Sequence, residues 1–267
     1  MKNVLLLVHD DAGQEARLQA ALDLTRGLRG HLTCLDGMCY PISAGWFEGG
    51  AGAAVFEQER EREEAHSRRI AERLGGEDVS WSMAARVGDL AECLVAASGL
   101  ADLIVVSRQL ESNEPNMLAT AGTVAIKSGR PVVAVPEQCR MFDVGGHAIV
   151  AWDGSMAAMA ALIGAVPLLA LASSVSIVEI QTNGGNSVQE AAAYLSRHDV
   201  HADIELVAGP DVPAGEIGPE LLAICRRLMA SYCVMGAYGH SLLREALFGG
   251  VTRHILSHSP VPLVMVH

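Results

Sequence analysis

The chain has 267 residues and carries 19 Lys plus Arg against 31 Asp plus Glu, a formal charge of −12. So acidic a chain is a poor match for a phosphate backbone, because nucleic-acid affinity comes largely from counterions released at basic patches. Half of the residues are hydrophobic and only 4% are aromatic, which excludes global disorder and a base-stacking platform and points to an aliphatic core in one large or two small domains.

Residues 3–10 are a short apolar run closing on His9 and Asp10, the pattern of a buried parallel strand. A helix is expected over 14–28, a strand over 31–38 and a long charged helix over 56–74, whose Glu and Arg residues fall at i,i+4 spacing on a solvated face. A strand over 79–87, a helix over 90–98 and a strand over 102–107 follow, and a helix and a strand over 131–136 close the half. The same order then begins again. Strands are expected over 147–153, 175–181, 202–208, 232–236 and 262–267, and helices over 156–172, 187–198, 216–229 and from about Gly250 to His258. Strands alternating with helices imply parallel sheets with right-handed crossovers and helices on both faces. The fold class is therefore α/β, as two tandem domains over 1–138 and 146–267, with charges of −7 and −5, so neither half is a basic arm.

Residues 154–178 contain no charged side chain, which by length alone invites a membrane span. The run is Ala-rich and interrupted by Gly164 and Pro167, so a buried helix followed by a strand is expected instead. The opening segment is too short in its apolar part for a signal peptide, and the six Cys form no Cys-x-x-Cys. Reduced thiols and a cytoplasmic location follow as expectations. His254 and His258 share a helix face, and His9, His31, Cys34 and Cys39 could gather at strand ends. Zinc wants three or four ligands, and no metal is expected at either place. There is no Walker A loop, no Gly-x-Gly-x-x-Gly after either first strand, and no Gly-x-Ser-x-Gly nucleophile elbow.

After the fourth strand of the second half, Gly236, Gly239, Gly249 and Gly250 bracket a loop whose last pair opens a helix. Glycines let backbone N–H groups approach an anion, and a helix N-terminus adds partial positive charge. Gly236-x-x-Gly239, nine residues, Gly249-Gly250-Val251-Thr252 resembles the nucleotide-binding signature of the universal stress protein family. The opening run to Asp153-Gly154-Ser155 and the closing Ser259-Pro260-Val261-Pro262 are similar to that family's first and last strands.

The resemblance implies a Rossmann-like, five-stranded parallel sheet of order 3-2-1-4-5 in each half, and stress-response signalling through a bound ATP or related adenine nucleotide, with or without Mg²⁺. It places Asp153 near the adenine and ribose, Ile180 against the adenine, and Gly236, Gly239, Gly249, Gly250 and Val251 around the ribose and phosphates. It also implies that the last strands of the two halves pair as an internal pseudo-dimer, with a homodimer and an unknown protein partner left open.

One position departs from the family. Gly250 stands where nucleotide-binding members usually carry Ser or Thr, and Ser241 or Thr252 would have to supply the missing hydroxyl. The first half, with Glu111 and Glu114 where the phosphates would lie and no Gly-x-x-Gly, is expected to be a degenerate domain in which Asp10 corresponds to Asp153. Two alternatives stay open: an interaction module that binds no nucleotide, and a weak ATP hydrolase. Arg244, Arg253 and Asp153 are thin machinery for phosphoryl transfer, so no catalytic residue is assigned.

Overall fold

Aliphatic runs set the strands and apolar stripes set the helices that cover them. In the computed structural model, which describes residues 1–38, 50–108, 118–180, 187–207, 216–237 and 250–267, the first half runs β1 (Asn3–Val8), α1 (Gln14–Leu28), β2 (His31–Met38), α2 (Gly50–Leu74), β3 (Ser80–Val87), α3 (Leu90–Ala97), β4 (Leu103–Ser107), α4 (Leu118–Ser128) and β5 (Val132–Val135). The second half repeats the order as β6 (His147–Trp152), α5 (Met156–Leu169), β7 (Ser174–Ile180), α6 (Val188–Ser196), β8 (Ala202–Val207), α7 (Ile217–Arg227), β9 (Tyr232–Gly236), α8 (Gly250–His258) and β10 (Leu263–Val266). The charged helix α2 begins six residues earlier than its charge pattern suggests, at Gly50.

Each half has the strand order 3-2-1-4-5, all neighbours parallel. The two five-stranded sheets join into one through their last strands, the pairing that the resemblance implies. β5 and β10 pair antiparallel, with Val264 opposite Val133, and the chain closes a ten-stranded sheet through its own middle. The pairing covers two edges that would otherwise present unpaired backbone groups.

Alternation along the strands divides the core into two layers. Val4, Leu6 and Val8 face α1, α2, α5 and α6, whereas Leu5 and Leu7 face α3, α4, α7 and α8. The connection between halves is packed rather than loose: Phe142 is buried, stacks on Tyr232 at 5.2 Å and donates its N–H to Asp23 of α1.

The uncharged stretch divides as expected into helix and strand. α5 is 14 residues long, carries Pro167 near its end, and starts on a Ser155 cap whose hydroxyl accepts the Ala158 N–H. Its inner face is buried, while Met156 and Ile163 stand 78% and 54% exposed on the outer face. Among the described residues no helix is long and apolar enough to cross a membrane.

Candidate functional site

A strand order of 3-2-1-4-5 reverses direction between its first and fourth strands, and the crevice beyond their carboxyl ends is where open α/β sheets take ligands. In the second half these strands are β6 and β9, paired through Val150 and Val234. Carrying that register forward brings Trp152 beside Gly236 and places Asp153 at the mouth of the crevice. β7 adds Ile180, its last residue, on the other side of β6.

Asp153 is exposed, and its carboxylate accepts the Ser155 N–H at 2.9 Å, a turn that delivers the chain into α5. The helix cap itself is Ser155, so the carboxylate keeps most of its acceptor capacity turned to solvent. Between them, Gly154 has φ +70°, a left-handed conformation that glycine adopts without strain. Gly236 is needed for packing: a methyl there would lie 2.6 Å from the backbone of Ala157 and Ala158, so the first turn of α5 rests directly on the end of β9.

Gly250 opens α8 and is exposed, and no described residue lies within 4 Å of where a side chain would begin. Val251 is half-buried behind it and Thr252 is buried. The structure thus brings Asp153, Gly236 and the end of Ile180 to adjacent strand ends, and starts α8 at the expected glycine. Gly239, Gly249 and Ser241 lie outside the described residues, as do Cys39 and residues 109–116.

The first half fills its switch point. Asp11, rather than Asp10, is the local counterpart of Asp153: each accepts the N–H two residues on, from Gly13 and from Ser155, and each of those residues caps its helix. The two-residue-longer turn after β1 is why the sequence suggested Asp10. The Asp11 carboxylate takes both oxygens to the Arg17 guanidinium at 2.9 Å. Arg17 is sealed from solvent and also donates to Ser107 Oγ, Gln14 Oε1 and the carbonyls of Leu7 and His9. Burial pulls the guanidinium's pKa down and Asp11 pulls it back.

Arg17 was not singled out in the sequence, although the signal was there. It falls at core spacing with Gln14, Ala21, Leu24 and Leu28 on an otherwise apolar stripe, and a charge at such a position must be paired.

Cys34 is buried with its thiol pushed up to about 12 by desolvation, and His31 hydrogen-bonds the Ser80 and Ser82 hydroxyls. His254 and His258 stack on each other at 4.4 Å, and among the described residues no group of three or more His, Cys, Asp or Glu is arranged to hold a metal.

The molecule is thus a tandem, doubly wound α/β protein whose first switch point is filled by Asp11 and Arg17, while Asp153 stands exposed at the second. Residues 146–267, the second half of the chain, match the family model described as the universal stress protein family. The chain's fold is similar over 99% of its length to 97% of a universal stress protein from Archaeoglobus fulgidus DSM 4304, with a TM-score of 0.76 at 16% identity. A putative universal stress protein from Pseudomonas aeruginosa UCBPP-PA14 matches at a TM-score of 0.59 and 16% identity, covering 100% of this chain and 93% of that one. Among curated proteins no match is found.

Proposed function

We propose that the chain serves the family's stress response by binding one adenine nucleotide, ATP foremost, at the switch point of its second half, in the cytoplasm. The observation that carries this reading is the contrast between the halves. Asp153 stands exposed at the crevice beside Gly236, whereas its counterpart Asp11 is locked to Arg17. The polar groups suit the ligand: a carboxylate to accept from ribose hydroxyls, and the N–H groups of the first turn of α8 to donate to phosphate oxygens. Mg²⁺ would accompany the phosphates. Occupancy biases whichever conformation binds the nucleotide, and a protein partner reads the bias.

Calorimetric titration of nucleotide-stripped protein with ATP and Mg²⁺ tests the reading. One site per chain, lost in Gly239→Glu, is expected; two sites, or none, would overturn it. The departure at Gly250 favours one competing reading, an interaction module without nucleotide, and an absence of binding in the wild type would select it. Slow hydrolysis is the lesser alternative, and Asp153→Ala would then reduce turnover more than binding.

A further inference from the structure

The last helix of the second half ends on a sequence that cannot cap it. α8 is followed by Ser259 and Pro260, and Pro260 stands four residues beyond Leu256, where a backbone N–H would ordinarily take the Leu256 carbonyl. Ser259 still donates its N–H to Ile255 at 2.8 Å, so the deficit falls on the next carbonyl. The first half meets the same point differently. Ser128-Gly129-Arg130-Pro131 leads from α4 into β5 as Ser259-Pro260-Val261-Pro262 leads from α8 into β10. Gly129, at φ +61°, is a helix-ending glycine with an N–H to offer.

The donor that α8 lacks comes from the other half. Arg108, one residue past the end of β4, is buried, and its Nη1 donates to the Leu256 carbonyl at 3.0 Å. The antiparallel join of β5 to β10 sets the end of β4 beside the closing turn of α8 and makes the contact possible. The guanidinium also brings positive charge to the negative end of the helix dipole. Its backbone is fixed as well, because the Arg108 N–H donates to Val135 at 2.7 Å and the preceding Ser107 accepts from Arg17. Ala237 holds the equivalent place in the second half, donating to Val266 at 2.8 Å, and its methyl side chain has no donor to offer α4. The clasp therefore runs one way, from the filled half to the helix that opens at Gly250.

We infer that Arg108 is a positioning residue for the second-half site: it fixes α8 from its far end and so sets where the first-turn N–H groups stand. The inference rests on the nucleotide reading, in which those groups receive the phosphates. α8 has nine residues, about 13 Å of helix, short enough to move as one body. Its other described supports are the burial of Ile255 and Leu256 in the core and the close fit of His254 on Gly218 of α7. Apolar packing is non-directional and lets a helix slide along its axis, whereas the bond to Arg108 fixes its height on the sheet.

Titration of the full chain and of Arg108→Met with ATP and Mg²⁺, and with adenosine in competition, tests the assignment. Adenosine carries the base and ribose without phosphates. The variant is expected to bind it within about twofold of the wild type while ATP weakens about tenfold, the loss of one hydrogen bond to a charged group. Arg108→Lys keeps the charge and a donor and is expected to recover part of the ATP affinity; should Arg108→Met not fold, it carries the same comparison with a smaller loss. Without ligand, hydrogen exchange over residues 250–258 is expected to quicken in Arg108→Met while that over 118–128 in α4 stays unchanged. Unchanged ATP affinity, equal losses for ATP and adenosine, or unchanged exchange in α8 would overturn the inference alone. A wild-type chain that binds no ATP would overturn the nucleotide reading and the inference with it.

Discussion

The Asp11 carboxylate and the Arg17 guanidinium, 2.9 Å apart and both shut off from solvent, occupy the first-half crevice, at whose second-half counterpart Asp153 stands exposed. One buried pair thus separates two halves that share strand order and helix order. Arg17 also ties the ends of β1 and β4 together through the Leu7 carbonyl and the Ser107 hydroxyl, so the switch point becomes part of the core.

Arg17→Met is expected to destabilise the chain by about 3–5 kcal/mol, because it strands a buried carboxylate. Asp11→Leu combined with Arg17→Met should cost much less than the two single changes added together. Urea denaturation of the four proteins measures both. Equal costs for the single and double variants would place the Arg17 contribution in its other hydrogen bonds.

Gly236→Ala puts a methyl group 2.6 Å from the α5 backbone. The helix must retreat, at about 1–3 kcal/mol of overpacking, and the Asp153 turn moves with it. A lower denaturation midpoint together with weaker nucleotide binding is the expected pair of results.

Gly250→Ser meets no steric obstacle among the described residues, none of which lies within 4 Å of the position a Cβ would take. Stability should stay within about 0.5 kcal/mol. A serine hydroxyl there can donate to a phosphate, and a hydrogen bond to a charged group is worth roughly 1.5–3 kcal/mol, which is about tenfold or more in affinity. Titration with ATP and Mg²⁺ shows the gain, and an unchanged affinity would mean that the phosphates do not reach α8.

Thiol labelling should be selective. Cys139 on the connecting segment is partly exposed, whereas Cys34, Cys93, Cys225 and Cys233 are buried; desolvation raises the pKa of Cys34, Cys93 and Cys139, and the hydrogen bond with Cys225, with burial behind it, raises that of Cys233. Brief alkylation at mildly alkaline pH, followed by peptide mass analysis, should modify Cys139 first among these five.

The strands were legible in the sequence because burial on both faces leaves an unbroken aliphatic signal, as in Val4–Val8 and Ile104–Val106. Gln14–Leu28, His31–Met38 and Tyr232–Gly236 fall where the pattern put them. Asp153 and Gly236 could be brought together because strand order converts two distant positions into neighbours. The filling of the other crevice was harder to see. Asp11 and Arg17 are six residues apart, a spacing with no helical meaning, and only the longer turn after β1 folds one back onto the other. The start of α2 was misplaced for a related reason: Gly50 and Gly52 are poor helix formers, and local propensity hides a helix that begins there.

The antiparallel join of β5 to β10 turns the second half around relative to the first. Every strand of one half therefore ends on the opposite rim of the sheet from every strand of the other. Five strand spacings of about 4.8 Å separate β1 from β6, and a strand of five residues adds roughly 17 Å along the other axis. The histidine-bearing end of the first half and the open crevice of the second thus lie some 25–30 Å apart, several times the roughly 8 Å over which charges are felt in physiological salt. Protonation at one pole is electrically silent at the other. A ligand bound at one pole would therefore reach the other only through a partner long enough to touch both rims, or through a shift carried by the shared sheet and the helix α8 upon it.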